Sequence, residues 1–141
     1  MNLKVKKLHQ DAKLPTHGHP GDAGIDFYAL EAVAFPPQSR ERVRTGVALE
    51  IPEGCVGLIW DKSSISFNVG LTTLGGVIDA GFRGELTFCL LNTTDKEIIL
   101  EKGHKVAQMI IQKFEQCDIL EVTEISETVR GEGKEGSTGK K

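Results

Sequence analysis

The chain is divided into short runs of alternating apolar and polar residues, separated by turns at intervals of roughly ten residues. The clearest run is 42–51, in which Val43, Thr45, Val47, Leu49 and Ile51 share one face. A period of two is typical of a strand with one buried face. Further strands are expected at 3–8, 25–30, 55–60, 71–78, 85–91, 97–100, 105–114 and 119–122. Because no stretch keeps a helical period, the pattern predicts an all-β sandwich or barrel.

Length and charge narrow the class of protein. A chain of 141 residues is expected to form one domain with its own core. The formal net charge of −3 argues against a nucleic-acid partner, since such proteins carry a concentrated basic surface. No stretch suits a membrane span or a signal peptide. Apolar residues almost disappear after 125, so we expect a β domain over 1–126 and a flexible, glycine-rich C-terminal arm over 127–141.

The cysteines give an indication of the compartment. Cys55, Cys89 and Cys117 are odd in number and far apart, which fits neither a disulfide framework nor a metal-ligand spacing. Cys55 and Cys89 lie in apolar runs and are expected to be buried thiols. We therefore expect a reducing, intracellular compartment. His17 and His19 are too few ligands for zinc and are expected at the surface.

The stretch 74–85 contains the most promising chemistry. Gly75 and Gly76 precede a short apolar run, Asp79 ends that run, and a glycine-rich turn around Phe82 leads to a second run at 85–91. This order predicts a β-hairpin. Its backbone could hold a planar ligand while Asp79 faces a water molecule. Taken alone, the stretch favours the plainer interpretation, an ordinary hairpin with a solvated aspartate, because hairpin patterns are common.

Two further clusters also allow a plain and a functional interpretation. Asp22 and Asp26 flank a glycine and could hold a hydrated Mg²⁺, or could belong to a solvated turn. Lys62, Ser63 and Ser64 precede a short helix expected at 65–68. A cation beside two hydroxyls suits a phosphate, and the same hydroxyls could simply cap the helix.

Polar residues nearer the C-terminus also allow both a structural and a functional interpretation. Gln108 interrupts an apolar strand, so its amide must find a ligand, a neighbouring chain or a structural hydrogen bond. The tail with Arg130 and its glycines could wrap phosphates, or could be disordered.

Taken in order, these segments resemble a known signature. They are Asp-Ala-Gly-Ile-Asp at 22–26, Lys-Ser-Ser at 62–64, Gly-Val-Ile-Asp-Ala-Gly-Phe-Arg-Gly-Glu at 76–85, Gly-His-Lys-Val-Ala-Gln at 103–108, and the glycine-rich tail at 130–139. The set closely resembles the five motifs of the homotrimeric dUTPases (deoxyuridine triphosphate nucleotidohydrolases). The resemblance implies a jelly-roll or β-clip trimer with three sites at subunit interfaces. It also implies Mg²⁺-dependent cleavage of dUTP to dUMP and pyrophosphate, which keeps uracil out of DNA and supplies dUMP.

The resemblance also implies individual roles. Asp79 would orient and deprotonate the attacking water, and Ser63 and Gln108 would complete the catalytic group at the phosphates. Asp26 would lie near metal-bound waters. The residues implied in binding the base, the sugar or the phosphates are Lys62, Ser64, Gly76, Val77, Ile78, Phe82, Arg130, Ser137 and Thr138.

Three residues depart from the family pattern. Phe82 replaces a tyrosine and keeps its packing surface, while Lys62 replaces an arginine and loses the bidentate fork. Glu135 stands where the tail normally has a phenylalanine that stacks on uracil. We expect a weakened lid, with a gain in kcat/KM on Glu135→Phe as its test.

Two alternatives remain open on the sequence. The related dCTP deaminases need a glutamate ten residues after the turn aspartate, and Cys89 occupies that position, which disfavours them. A non-catalytic dUTP-binding or protein-binding module of the same fold would retain the motifs with an altered tail.

Overall fold

The computed structural model describes residues 1–132, so Glu135, Ser137 and Thr138 lie outside it. Nearly all of the regular secondary structure in this part of the chain is strand, with one short helix. In chain order the elements are β1 (Lys4–Lys7), β2 (Thr16–His17), β3 (Ile25–Tyr28), β4 (Val33–Phe35), β5 (Arg40–Glu50), β6 (Cys55–Trp60), α1 (Ser63–Asn68), β7 (Leu71–Leu74), β8 (Val77–Ile78), β9 (Glu85–Asn92), β10 (Ile98–Leu100) and β11 (Lys105–Lys113). The expected all-β class is confirmed.

The strands form three antiparallel sheets. One sheet has the order β1-β5-β9-β7, a second has the order β2-β3-β11-β6-β8, and β10 pairs with β4 in a small third sheet. Alternate residues of β9 are buried, namely Leu86, Phe88, Leu90 and Asn92. Phe88 meets Phe27 of β3 edge-to-face, with ring centroids 5.6 Å apart, so the two large sheets share one core.

The hairpin expected from the stretch 74–85 is wrong in its pairing. β8 pairs with β6, whereas β9 pairs with β5 and β7. The run expected as one strand at 71–78 is therefore divided between the two large sheets. Gly75 and Gly76 make this change of sheet, with φ angles of 77° and 153° that side chains rarely adopt.

Local patterns also misplaced some smaller elements. β2 and β4 were not expected, and both are three residues or shorter. The strand expected at 119–122 is not formed, and within residues 1–132 no segment pairs with it; Ile119 and Leu120 are exposed. Ser63 and Ser64 lie inside α1 and do not cap it, because the N-cap residue is Lys62, without a side-chain cap bond.

Two other expectations concern cysteines and membrane spans. All three cysteines are free: Cys55 is buried, Cys89 is half-buried and Cys117 is exposed, so only Cys55 is buried as expected. Over residues 1–132 no helix combines the length and the apolarity that a membrane span requires.

Candidate active site

A buried carboxylate paired with two lysines lies where β3 meets β11. Asp26 is only 3% exposed, and its Oδ1 and Oδ2 lie 2.9 Å from Nζ of Lys62 and 2.7 Å from Nζ of Lys105. Burial alone would raise the pKa of Asp26, but hydrogen bonds and charge from the two lysines outweigh it and lower the pKa. The same contact raises the pKa of Lys105. The three groups leave a net charge of +1 near the surface.

Gln108 lies beside this ion-paired group and is fixed from two sides. Its Nε2 donates to the carbonyl oxygen of Asp61 at 2.8 Å. A Cβ added at Gly24 would overlap Oε1 of Gln108, so the glycine leaves room for the amide. The amide therefore finds the structural hydrogen bond that its half-buried position requires, and Oε1 remains beside the pocket described next.

These groups line a polar pocket of about 370 Å³, formed by Gly18, His19, Asp22, Ala23, Gly24, Asp26, Lys62, Lys105 and Gln108. Three residues implied from the sequence, Asp26, Lys62 and Gln108, come together here. Lys105 was not singled out, although it lies three residues before Gln108 on the same strand. Two ammonium groups and an amide can bind an anion such as a phosphate.

The two serines lie next to this pocket without lining it. Ser63 and Ser64 begin α1 and are exposed, and Ser63 borders a neighbouring cleft with Asp61 and Thr72. Asp61 anchors the loop before them. Its Oδ1 accepts from the N–H of Thr73 at 2.7 Å and from the Thr73 hydroxyl at 2.8 Å, and its Oδ2 accepts from the Thr72 hydroxyl at 2.7 Å.

The loop 75–84 carries the residues implied in reading the base and activating the water. The carbonyl of Gly76 accepts from the N–H of Ile59 at 2.8 Å, which holds the loop against β6. Asp79 is exposed, and its carboxylate makes no hydrogen bond or ion pair within residues 1–132. Phe82 is 45% exposed, with its ring folded over Gly84. Arg83 closes the turn by donating to the carbonyl of Ala80 at 2.5 Å.

The strand register separates this loop from the polar pocket. Ile78 lies opposite Gly57 on one side of β6, and Gln108 lies opposite Trp60 on the other side. Three residues along β6 correspond to about 10 Å, and β8 and β11 are two strand spacings apart, a further 9–10 Å or so. Asp79 lies one residue beyond Ile78, farther still from Gln108. The implied catalytic residues therefore do not converge within one chain.

One of the implied tail residues, Arg130, lies in the described part of the chain. Arg130 is exposed and lies in the segment 114–132, which contains no helix or strand. The roles implied for Ser137 and Thr138 concern residues outside the described part.

Comparison with known proteins finds relatives over nearly the whole chain. The family model described as dUTPase matches residues 10–139. The chain belongs to the dUTPase family. The deoxyuridine 5'-triphosphate nucleotidohydrolase of Clostridium kluyveri is 39% identical over 141 residues, covering 99% of this chain and 99% of that protein.

Solved dUTPases share the fold. A mutant dUTPase of Staphylococcus bacteriophage 80alpha, determined with dUpNHpp, matches with a TM-score of 0.92 and 31% identity, covering 98% of each chain. A mutant dUTPase from phage phi11 of S. aureus, described as revealing the coordination of a structural Mg(II) ion, matches with a TM-score of 0.82 and 28% identity. That match covers 88% of this chain and 98% of the phage chain. These matches confirm the dUTPase-like jelly-roll fold.

Proposed function

We propose that this dUTPase-family chain hydrolyses dUTP to dUMP and pyrophosphate. The observation that carries the proposal is the polar pocket, in which Lys62, Lys105 and Gln108 offer donors to phosphate oxygens on a dUTPase fold. Phosphoryl transfer needs mainly positioning and charge neutralisation, and no covalent nucleophile from the protein. The pocket supplies both, and the family match includes every motif from which the activity was expected.

Asp79 is the proposed base. A water held by its exposed carboxylate would attack the α-phosphorus, and the bond from that phosphorus to the bridging oxygen would break. Asp79 would take the proton of the water, while pyrophosphate would leave with the bridging oxygen. General-base catalysis of this kind contributes about 10²–10⁴-fold to a rate. The roles proposed for Ser63 and Ser64 are contacts with the phosphates.

The loop 75–84 is the proposed reader of the nucleoside. Residues 76–78 are held to β6 through backbone bonds, so their remaining N–H and C=O groups can present a fixed pattern to uracil. Cytosine would leave such groups unpaired, and the lost binding energy would make the loop select uracil over cytosine. Phe82 would pack on the deoxyribose and exclude a 2′-hydroxyl. Arg130, Ser137 and Thr138 would close over the triphosphate.

We further propose that each site is shared between chains of a homotrimer. The separation of Asp79 from Gln108 along and across β6 supports this, because one chain alone leaves the base far from the phosphate donors. Exposed apolar side chains at Ile119, Leu120 and Ile125 support it as well, since exposed apolar groups are typical of surfaces that a neighbouring chain covers.

Mixing two impaired variants would test the shared site. Chains carrying Asp79→Asn and chains carrying Gln108→Ala, unfolded and refolded together in equal amounts, should recover activity at about a quarter of the sites if each site takes the two residues from different chains. Each variant refolded alone is the control. No recovery in hetero-oligomers verified by mass spectrometry would contradict sharing.

Magnesium is proposed to enter with the substrate. Within residues 1–132 no three His, Cys, Asp or Glu side chains are grouped as a metal site, and both oxygens of Asp26 are paired with lysines. Such residues do not fit a protein-bound metal. Mg²⁺ commonly keeps several waters and binds substrate phosphates. A contact between Asp26 and a metal-bound water stays a prediction, and it requires a lysine to turn from Asp26 towards phosphate.

Pyrophosphate release from dUTP, dCTP, dTTP and UTP, each with Mg²⁺ or with EDTA, tests the function. We expect release from dUTP alone and only with Mg²⁺. Tight binding of dUTP without release would instead favour the non-catalytic module. Release of ammonia from dCTP would favour a deaminase, which the half-buried Cys89 disfavours. The free cysteines are consistent with the proposed intracellular location.

A further inference from the structure

Asp61 makes an unusually complete set of contacts for a loop residue that carries none of the implied roles. Its half-buried carboxylate accepts three hydrogen bonds, all from Thr72 and Thr73 in the middle of β7. Burial alone would raise the pKa of Asp61, but these donors outweigh it and lower the pKa. The carboxylate is thus ionised at neutral pH and ties the end of β6 to β7.

The same residue also holds Gln108 through its backbone. The carbonyl of Asp61 accepts from Nε2 of Gln108, and Gly24 bounds the other side of the amide. The next residue along the chain is Lys62, which pairs with Asp26. A shift of the Asp61 peptide would therefore move two groups of the polar pocket together.

We propose that Asp61 is a positioning residue for phosphate binding: its carboxylate fixes the loop 61–62 before α1, and its carbonyl thereby orients Gln108 in the polar pocket. The inference rests on the proposed dUTP hydrolysis. Displacing a positioned group by about 1 Å can cost up to 10²-fold in rate. The role depends on hydrogen-bond geometry and not on charge, so an amide at position 61 should largely preserve it.

The test compares Asp61→Ala with Asp61→Asn. The alanine variant should lose about 10–100-fold in kcat/KM for dUTP. The asparagine variant should stay within about threefold of the parent, because Oδ1 can keep both Thr73 bonds while the Thr72 hydroxyl accepts from the new amide. Asp95→Ala, an exposed change in the turn between β9 and β10, is the matched control and should not alter activity.

A double-mutant cycle separates positioning from general destabilisation. In a Gln108→Ala background, Asp61→Ala should lower kcat/KM by a smaller factor than in the parent, because one of the two groups that it positions is already gone. Equal losses in the two backgrounds, or an alanine variant as active as the parent, would overturn the proposal. So would an asparagine variant as impaired as the alanine one. Should Asp61→Ala fail to fold, Thr72→Val and Thr73→Val remove one hydroxyl each, and the same cycle applies to them.

An activity-independent measurement keeps this inference distinct from the proposed function. The side-chain amide resonance of Gln108, assigned by its absence in Gln108→Ala, should shift or broaden in Asp61→Ala and stay near its place in Asp61→Asn. An unmoved resonance in the alanine variant would refute positioning whether or not dUTP is hydrolysed. A parent protein that releases no pyrophosphate would refute the proposed function, and the amide resonance would still decide whether Asp61 orients Gln108.

Discussion

The polar pocket and the loop 75–84 are held in place by different kinds of contact. In the pocket, side chains fix one another: Asp26 pairs with two lysines, and Gln108 is bound to the Asp61 carbonyl. In the loop, the backbone is held and several side chains project outward, while Ile78 and Ala80 pack against the core. Asp79 and Val77 are exposed, and the pairing of β8 with β6 spans only two residues.

This difference separates a preorganised half of the site from a half that requires completion. Donors fixed before the substrate arrives need no reorganisation when charge develops, which suits the phosphate end. The exposed apolar and acidic side chains of the loop are fixed by contacts only when a nucleoside or a neighbouring chain binds beside them. Substitutions of the exposed loop side chains should therefore alter activity without altering stability, whereas substitutions in the pocket should alter both.

The largest expected effect comes from the loop. Asp79→Asn should lower kcat by about 10²–10⁴-fold, because the amide cannot accept the proton of the attacking water. Since the carboxylate is exposed and unpaired within the described residues, the melting temperature should stay unchanged. Fixed-time assays of pyrophosphate release measure kcat, and thermal unfolding measures the melting temperature. A variant that retains its kcat would remove Asp79 from the mechanism. A variant with a lower melting temperature would contradict the difference drawn between the loop and the pocket.

The pocket predicts the opposite combination for Asp26→Asn. Losing the carboxylate leaves Lys62 and Lys105 facing each other with a neutral partner, at an expected cost of about 1.5–3 kcal/mol in unfolding free energy. The folded-state pKa of Asp26 lies below that of the unfolded chain. Its contribution is therefore present above the unfolded pKa of about 3.9 and is lost as the pH falls through the folded pKa.

Urea unfolding between pH 7 and pH 3 measures this contribution. The difference between the parent and Asp26→Asn should be greatest at neutral pH and should shrink below about pH 4. Asp11→Asn is the matched control, because Asp11 pairs with Lys102 on the exposed surface and should affect stability less. Equal effects of the two substitutions would show that burial of the Asp26 group adds nothing.

Residues with a strong local pattern were predictable from the sequence. β9 alternates buried and half-buried residues along its whole length, and β5 alternates up to Thr45 before a run of buried residues at 45–49. The existence and approximate bounds of both strands therefore follow largely from periodicity. The pairing of β8 with β6 does not follow from the local sequence. Both runs flanking the turn at 80–84 suit a strand, and the choice of partner depends on a distant part of the sheet.

The candidate site divides in the same way. Asp26, Lys62 and Gln108 were found from their motifs, and the structure brings them together. Asp61 and Lys105 were not singled out, since their roles depend on which residues lie across from them. Lys105 pairs with Asp26 on β3, and Asp61 accepts hydrogen bonds from β7. Neither strand is adjacent in sequence to the residue that it contacts. The sequence offered one indication for each: Asp61 is adjacent to Lys62, and Lys105 lies three residues before Gln108.

The smallest expected effect tests whether the loop selects its sugar through the placement of Phe82. A Cβ at Gly84 would lie 2.7 Å from Cζ of Phe82, so Gly84→Ala must push the half-exposed ring aside. Because the ring can move into solvent, stability should change by less than about 0.5 kcal/mol. The ratio of kcat/KM for dUTP over UTP should fall a few-fold, since one misplaced packing contact is worth roughly 1–3 kcal/mol of discrimination at most. Gly81→Ala lies in the same turn with nothing within 4 Å of its Cβ, and it should leave the ratio unchanged. If both substitutions lower the ratio equally, the turn backbone and not the ring carries the selection, and the outward-facing side chains of the loop would lose their proposed share in specificity.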